Sequence, residues 1–497
     1  MSNTPQFQIV AEPFDIIVIG GGINGGGIAC EAASRGLKVG LYEAKDFAMA
    51  TSSASSKLIH GGLRYLEHLE FRLVKEALSE REILLKKAAH IVKPMRFRLP
   101  YRDTMRPKWL IRTGLFLYDH LARRGTLQAS QQIAVRSTDG LAAELKTAFE
   151  YSDCWVDDSR LVISNIKHAH QQGAEVRNYC EVRSIRRGES YWCVTLYDQR
   201  LQCEVVRYAR AVVNATGPWA AQFLDKCSEE SSQHQMQLVK GSHLIVKQLY
   251  PGDHAYILQN EDKRVIFVIP YLDKYSMIGT TDIPYTGDPY KAQASKQEID
   301  YLLSICNQNF AAQLEPDDVL DSFSGVRPLF GQQNLPAQKQ SRDYELVMQT
   351  KRTLPVLSVY GGKLTTYRRL SQKAVEMFEE YFSNMLPSES ETSTFAEATG
   401  FNPRALQRQL YKQYPYLDKL CLDRLISLYG VATWQVLHSL DDSQLPVVSD
   451  LYQCEIDYLQ QHEWAHNWDD ILQRRTKLCY QLSALEREAL TQRPAGL

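Results

Sequence analysis

The chain has 497 residues, with 57 Lys and Arg against 58 Asp and Glu, so its formal net charge is −1. This balance gives no overall field that would attract nucleic acid, and we expect no nucleic-acid partner. The chain is longer than a single hydrophobic core usually supports, which predicts two or three domains. Its ten cysteines include no C-x-x-C pair, which is typical of reduced thiols in a cytosolic protein.

The first predicted elements form a strand, a glycine turn, a helix and a second strand. An apolar run over 14–19 leads into Gly20-x-Gly22-x-x-Gly25, and the second apolar run ends on Glu43. Gly20 permits a sharp turn, Gly22 leaves room for a pyrophosphate, and Gly25 lets the helix pack closely on the strand. The helix N-terminus offers N–H groups to phosphates, and Glu43 has the spacing of a carboxylate that binds a ribose hydroxyl. This unit predicts a dinucleotide-binding domain.

The segment 106–124 interleaves aromatic and aliphatic residues with arginine and lysine. One interpretation is a helix that lies among lipid headgroups, with its cations at an anionic surface. The other is a helix packed on the core, whose arginines are solvated. The sequence leaves both interpretations open.

Strands are predicted at 211–214, 265–269, 275–279 and 354–359. Three distant segments share a strand followed by glycine, near residues 14–43, 214–219 and 360–366, which suggests that they meet at one ligand. The stretch 386–400 is rich in Ser, Thr and Glu and has the composition of a linker. Residues 401–497 have helical periodicity and almost no strand signal, so a separate helical domain is expected.

Two features of this last region invite misreading. His462-Glu463-Trp464-Ala465-His466 matches the H-E-x-x-H zinc pattern, but no third-ligand extension follows, and we expect no metal site. The charged run 473–477 is most simply a solvated helix face, although a helical domain of this kind could also mediate dimerisation.

Several longer strings together resemble one family. They are GGGINGGG (20–27), the run from Ala50 to Glu67, NATGPW (214–219), SGVRPL (324–329) and GGKLTTYR (361–368). The sequence is similar to the bacterial aerobic FAD-dependent glycerol-3-phosphate dehydrogenases from about residue 14 into the C-terminal region. The resemblance implies an α/β fold in which a glutathione-reductase-type FAD-binding Rossmann domain is joined to a mixed or antiparallel substrate domain and an all-helical C-terminal domain.

The implied domains are interleaved along the chain. The FAD-binding parts are expected at about 14–80, 150–225 and 350–385, and the substrate-binding parts at about 81–149 and 226–349, followed by the linker and the helical domain.

The resemblance also implies an activity. FAD would be the cofactor, sn-glycerol 3-phosphate would be oxidised to dihydroxyacetone phosphate by hydride transfer, and a membrane quinone would take the electrons. The protein would be cytoplasmic, attached peripherally to the anionic lipid of the inner membrane's cytoplasmic face, and able to form a homodimer. Two alternatives are an oxidase that uses oxygen and a non-catalytic FAD-binding interaction protein.

The site residues carried over from the family fall into three groups. The expected catalytic residues are His243, a base whose ordinary pKa near 6.5 suits proton transfer, His60 as the competing base, and Arg327, which would stabilise the forming carbonyl oxygen. The expected substrate-binding residues are Arg64, Tyr65, Thr280, Arg342 and Lys363. A phosphate ester requires several cations, for which Arg64, Arg327, Arg342 and Lys363 are the candidates. The expected cofactor-binding residues are Gly20, Gly22, Gly25, Glu43, Ser52, Ser53, Lys57, Gly61, Gly62, Ala215, Gly217, Gly362, Leu364 and Thr365.

Overall fold

The structure is a computed structural model that describes residues 12–228, 236–260, 262, 264–330, 344–351 and 353–491. The strands are β1 Phe14–Ile19, β2 Val39–Tyr42, β3 Leu58–Ile59, β4 Val92–Pro100, β5 Gln131–Ala134, β6 Thr147–Val156, β7 Glu175–Arg177, β8 Cys180–Arg187, β9 Trp192–Asp198, β10 Cys203–Asn214, β11 Met236–Lys247, β12 Ala255–Gln259, β13 Val265–Tyr271, β14 Tyr275–Gly279, β15 Ile283–Tyr285, β16 Val319–Phe330, β17 Glu345–Lys351 and β18 Leu354–Tyr360.

The helices are α1 Ile23–Ser34, α2 Phe71–Lys87, α3 Lys108–His120, α4 Asp158–Gln171, α5 Ala220–Cys227, α6 Lys296–Asn309, α7 Tyr367–Glu376, α8 Pro403–Gln413, α9 Lys419–Tyr429, α10 Thr433–Val436, α11 Gln453–Glu463 and α12 Ala484–Thr491. A single π-helical turn, Asp470–Arg475, lies between α11 and α12.

The first sheet has the order β17-β18-β10-β1-β2-β7, and β8 and β9 extend it from β10. β1 runs parallel to β2 and β10, and β10 runs parallel to β18, so the carboxyl ends of these strands lie at one edge. The strands are almost continuous runs of buried apolar residues, as expected when helices cover both faces of a parallel sheet. This edge therefore brings together the three strand-then-glycine segments, as the sequence suggested.

The second sheet has the order β15-β11-β14-β13-β12-β4-β6-β3, with β16 paired to β11 and β5 paired to β6. Its pairs are antiparallel except that of β12 with β4. β11 is hydrogen-bonded to both β14 and β16, which places its side chains in the middle of a packed layer. The predicted α/β fold with a mixed second sheet and a helical C-terminal region is thus confirmed.

The limits between the two sheets differ from those expected along the sequence. β3 and the whole of β6 belong to the second sheet, although β3 and residues 150–156 of β6 fall in segments assigned above to the FAD-binding part. β6 pairs with β4 from Val92 to Pro100, and this continuous ladder holds it there. The second sheet therefore extends to Val156, beyond the expected boundary at about residue 150.

The described residues after 400 are mainly helical and enclose a separate apolar core. The stretch 386–400, which was expected to be a linker, is packed against the body instead. Phe395 is fully buried and its N–H donates to the Lys87 carbonyl at 3.0 Å, while Glu397 forms an ion pair with Lys167 of α4. Through Phe395 and Glu397, this polar stretch therefore contacts helices α2 and α4.

The charged run 473–477 also differs from expectation, because its cations are buried. Arg475 is 0% exposed, and Arg474 and Lys477 are nearly as inaccessible. Asp46 and Asp157, far away along the chain, are partners of these cations, and Arg474 also pairs with Asp470, four residues before it. The interpretation as a solvated helix face was therefore wrong.

Candidate active site

The glycine turn between β1 and α1 lines a cavity of about 370 Å³. Gly20 has φ of +107°, and a Cβ at this position would lie 2.5 Å from the Ala215 carbonyl oxygen. A Cβ at Gly25 would lie 1.8 Å from the carbonyl oxygen of Gly20, so only glycine lets α1 pack against the turn. Helix α1 begins beside this cavity, its N-cap Gly22 provides no side-chain cap, and its first turn contains no acidic residue. The positive end of the helix therefore suits a phosphate group.

Glu43 lies at the carboxyl end of β2 in the same cavity. One carboxylate oxygen accepts the Gly21 N–H at 2.6 Å, and the other accepts the Lys45 N–H at 2.9 Å. Burial raises the pKa of Glu43 and the backbone donors oppose this shift. Each oxygen keeps a second lone pair, which can accept from a ribose hydroxyl. The glycine cradle and this carboxylate together fit the adenosine and pyrophosphate parts of FAD.

Glu43→Gln is expected to weaken FAD binding by about 1–3 kcal/mol, or roughly ten- to a hundredfold in Kd, because an amide offers one acceptor oxygen instead of two. Fluorescence titration of the apoprotein with FAD measures this change. Glu175→Gln is the control, since Glu175 lies in the same sheet but is paired with Arg177 and Arg207. Equal Kd values for the two variants would contradict the assignment of Glu43.

A larger cavity of about 540 Å³ adjoins the first, and Ser52, Gly361 and Gly362 line both. The structure brings six of the predicted catalytic and substrate-binding residues to this larger cavity: His60, Tyr65, His243, Thr280, Arg327 and Lys363. Gly62, Leu364 and Thr365 line it too. The side chain of Arg64 and the whole of Arg342 lie outside the described residues.

His243 lies in β11 between β14 and β16. Its Nε2 is 2.9 Å from Ser56 Oγ, and its ring is stacked on Phe323 at a centroid distance of 4.8 Å. A Cβ at Gly279 would lie 2.3 Å from the imidazole Cδ2, so glycine on the neighbouring strand makes room for the ring. Among the described residues Nδ1 has no hydrogen-bond partner and is buried, while Nε2 lies beside Ser56.

Burial, followed by the charges of Arg327 and Lys57, lowers the pKa of His243 to about 3. The imidazole is therefore neutral throughout the physiological range and can accept a proton. This pKa lies well below the ordinary value near 6.5 on which the sequence argument relied. Arg327, one of the two cations that depress it, lines the cavity and would also stabilise negative charge on a substrate oxygen.

Arg327 enters the cavity from β16 and is aligned by an acidic partner. Its Nη2 donates to Asp282 Oδ1 at 2.6 Å and to the Thr281 carbonyl at 3.3 Å. A Cβ at Gly241 would lie 2.8 Å from this Nη2 and 2.4 Å from Thr280 Oγ1. The guanidinium is therefore anchored on one side, and Gly241 permits its close approach to β11.

Two further residues line the larger cavity. The Lys363 ammonium lies 4.3 Å from the centre of the Tyr65 ring, a cation–π contact that fixes a charge beside the site. The His60 N–H donates to Thr365 Oγ1 at 3.2 Å, and its ring contacts Phe267 edge to face. These contacts place His60 on the cavity wall, where it remains the competing base.

Three of the predicted cofactor residues act from below the cavity surface. The Lys57 ammonium donates to Asp158 at 2.7 Å and to the Ser53 carbonyl at 3.0 Å. The Gly61 N–H donates to Tyr118 OH at 2.8 Å, and a Cβ at Gly61 would lie 2.6 Å from that oxygen. These interactions hold the loop that lines the site.

Sequence reasoning missed three residues that shape the reacting end of the site. They are Ser56, Phe323 and Asp282, which contact His243 or Arg327. Ser56 lies within a string that carries the family resemblance, but its role, like that of Asp282, depends on strand pairing. Only the register of β11 with β16 brings Phe323 opposite His243.

The residues of the H-E-x-x-H sequence pair with other parts of the chain. Helix α11 ends at Glu463, whose carboxylate pairs with Arg160, while His462 contacts Gln435 and His466 contacts Asn178. No group of three or more potential ligands that could hold a metal occurs in the described part of the chain.

Comparisons with known proteins agree with this geometry. A family model described as FAD dependent oxidoreductase matches residues 15–368. The chain is 47% identical to a glycerol-3-phosphate dehydrogenase of Pseudomonas aeruginosa, over 99% of this chain and 96% of the relative. It is 45% identical to the aerobic glycerol-3-phosphate dehydrogenase of Escherichia coli, over 97% of each.

Among solved structures, the glycerol-3-phosphate dehydrogenase of Bacillus halodurans in complex with FAD is similar with a TM-score of 0.76 and 28% identity. The similarity covers 96% of this chain and 89% of that one.

Proposed function

Because this chain belongs to the FAD dependent oxidoreductase family, and within it to the glycerol-3-phosphate dehydrogenases, we propose that it oxidises glycerol 3-phosphate to dihydroxyacetone phosphate and passes the electrons to a membrane quinone. The observation that supports this most directly is the shared wall between the dinucleotide cavity and the cavity with His243 and Arg327. When bound, FAD accepts the hydride from carbon 2 of the substrate.

The residues of this chain divide the remaining work. His243, which is neutral, accepts the hydroxyl proton, while Ser56 holds the imidazole in place. Arg327, aligned by Asp282, stabilises the oxygen that becomes the carbonyl. Lys363, with the Tyr65 ring beside it, binds the phosphate. We extend the phosphate site to Arg64 and Arg342 from the resemblance alone.

The decisive experiment mixes the purified holoprotein anaerobically with glycerol 3-phosphate and follows the flavin absorbance. Bleaching that a soluble quinone analogue reverses quickly and oxygen reverses slowly is the expected result. Rapid reversal by oxygen would make the protein an oxidase. If glycerol 3-phosphate did not bleach the flavin of a protein that carries FAD, glycerol 3-phosphate would not be its substrate.

We further propose that α3 attaches the protein to an anionic lipid surface, where quinone is found. One side of the helix is anchored in the body by Leu115 and Tyr118, whereas Trp109 is 67% and Phe116 is 59% exposed. Cationic residues flank this apolar side: Arg106, Lys108, Arg112, Arg123 and Arg124. Arg106, Leu110 and Leu117 also line the larger cavity, which supports access for an apolar acceptor from this side.

Within the described residues, no helix is both long enough and apolar enough to cross a membrane. We therefore propose that the protein binds the lipid surface through the exposed face of α3.

Changing Trp109 and Phe116 together to Glu is expected to weaken binding to vesicles of phosphatidylglycerol and phosphatidylethanolamine by at least about tenfold, because each ring loses roughly 1–3 kcal/mol of apolar burial. Turnover with a soluble acceptor should not change. Vesicle co-sedimentation measures the effect. The matched control changes Tyr191 and Leu201, two exposed apolar residues of the first sheet's hairpins, to Glu. Equal loss in both variants would contradict a specific role of α3.

A further inference from the structure

The buried run near the C-terminus, Arg474 to Lys477, contacts the FAD-binding part of the chain at two points. We name residues 44–57 the cofactor loop, because this segment follows Glu43 and its residues line both cavities. The run approaches the cofactor loop directly at Asp46 and indirectly through Asp157. It therefore connects the helical C-terminal region to the cofactor site.

Asp46 is the first contact point, and it is fully buried. Arg475 donates to both of its oxygens, at 2.8 and 2.9 Å, and Arg474 donates to it through Nε. Burial alone would raise the pKa of Asp46, but Arg475 and Arg474 outweigh this and hold it at about 2. The next residue, Phe47, packs where a Cβ at Gly21 would meet its ring at 2.4 Å. A shift of Asp46 would therefore also move Phe47, which packs against the glycine turn.

Asp157 is the second contact point. The Lys477 ammonium donates to both of its oxygens and, at 2.7 Å, to Ser159 Oγ. The adjacent Asp158 accepts from Lys57 Nζ and Ser55 Oγ, each at 2.7 Å. Asp157 and Asp158 lie at the start of helix α4. The C-terminal run binds Asp157, and the cofactor loop binds the next residue, Asp158.

We propose that Arg475 and Lys477 are positioning residues that hold the cofactor loop at both ends, so that docking of the C-terminal run and binding of FAD stabilise each other. The anchored loop carries Ser52, which accepts the Ile23 N–H at the start of α1, and Ser56, which contacts His243. If docking of the C-terminal run orders the cofactor loop and so favours FAD binding, then FAD binding must favour docking of the run to the same extent. This follows because the coupling between two binding events is reciprocal. The inference needs only FAD binding and does not depend on the substrate.

Another buried ion pair in the same region provides the comparison. Arg424 of α9 donates to both oxygens of Glu455 at 2.8 Å and to Asp450 at 2.9 Å, all within the helical region. Removing this arginine also leaves the buried Glu455 and the partly buried Asp450 without their charged partner, but neither of them contacts the cofactor loop. If Arg475 and Lys477 had a purely structural role, their removal and the removal of Arg424 would affect FAD binding equally.

The first experiment compares Arg475→Met, Lys477→Met and Arg424→Met as purified full-length holoproteins. FAD release is followed by the fluorescence of free flavin, well below each variant's Tm. We expect release at least about tenfold faster than in the parent protein for Arg475→Met and Lys477→Met, and within about twofold of the parent for Arg424→Met at a similar loss of Tm. Release from the first two that is no faster than from Arg424→Met would overturn the proposal.

A second measurement needs no variant and covers the case in which Arg475→Met does not fold. Hydrogen exchange of the parent protein is compared with and without FAD. Removal of FAD is expected to speed exchange in a peptide over residues 470–478 more than in one over 419–429. Equal changes in the two peptides would overturn the proposal, since the coupling would then be general destabilisation.

Discussion

His243→Asn is expected to slow reduction of the flavin by glycerol 3-phosphate by about a hundred- to ten-thousandfold, the range typical of a positioned general base. Asparagine can still hydrogen-bond to Ser56, but it cannot take up the hydroxyl proton. FAD content should not change, because His243 lines the substrate cavity and not the dinucleotide cavity. Anaerobic stopped-flow absorbance measures the rate.

His254→Asn is the matched control for this experiment. His254 is also a histidine of the second-sheet region with a lowered pKa, about 4, caused by burial and then by Arg98. Its ring packs against Tyr250 and Tyr256, so its loss should leave the reduction rate near that of the parent protein. A His60→Asn variant that is slow beside a His243→Asn variant at the parent rate would transfer the role of base to His60.

The pH dependence of kcat/KM follows from the same environment. Burial, Arg327 and Lys57 hold the pKa of His243 at about 3, so the free enzyme does not protonate this residue between pH 5 and 8. An acid limb near pH 6 would then report the second ionisation of the substrate phosphate, whose pKa is about 6 in phosphate monoesters. That limb should persist in His243→Asn, and its disappearance there would contradict the assignment.

The parts of the fold that could be predicted from the sequence are those determined by residues close together along the chain. The turn over Gly20 to Gly25 and the carboxylate Glu43 are determined by neighbouring residues, because backbone strain and strand length operate over a few positions. The strands β10, β13, β14 and β18 likewise appear where apolar runs predicted them. The family resemblance added residues such as Thr280 and Lys363, which the structure brings to the cavity.

The parts that sequence could not predict depend on partners far along the chain. Arg475 pairs with Asp46 across 429 positions, and Lys477 pairs with Asp157 across 320. A run of charges carries no local signal of burial, because a buried ion is tolerated only where a partner meets it. The same holds for Phe395, whose burial depends on contact with α2 and not on its polar neighbours.

Arg327→Met is expected to lower kcat/KM by about a hundred- to a thousandfold, or about 3–4 kcal/mol, because it removes a charged donor from the oxygen that becomes the carbonyl. Arg327→Lys should recover only part of this loss, since an ammonium cannot both donate to Asp282 in the same geometry and offer a second nitrogen to the substrate. Steady-state kinetics with a soluble acceptor measure both variants, and added guanidinium ion should partly restore Arg327→Met.

The matched control for this prediction is Arg264→Met. Arg264 is as exposed as Arg327, at 34% against 36%, and it likewise pairs with a nearby carboxylate, Asp262 at 3.2 Å. Because its guanidinium does not line the cavity, its removal should change kcat/KM by less than about threefold. If Arg264→Met and Arg327→Met lost activity equally, or if guanidinium restored neither, the loss would come from general destabilisation and Arg327 would have no direct role at the reacting oxygen.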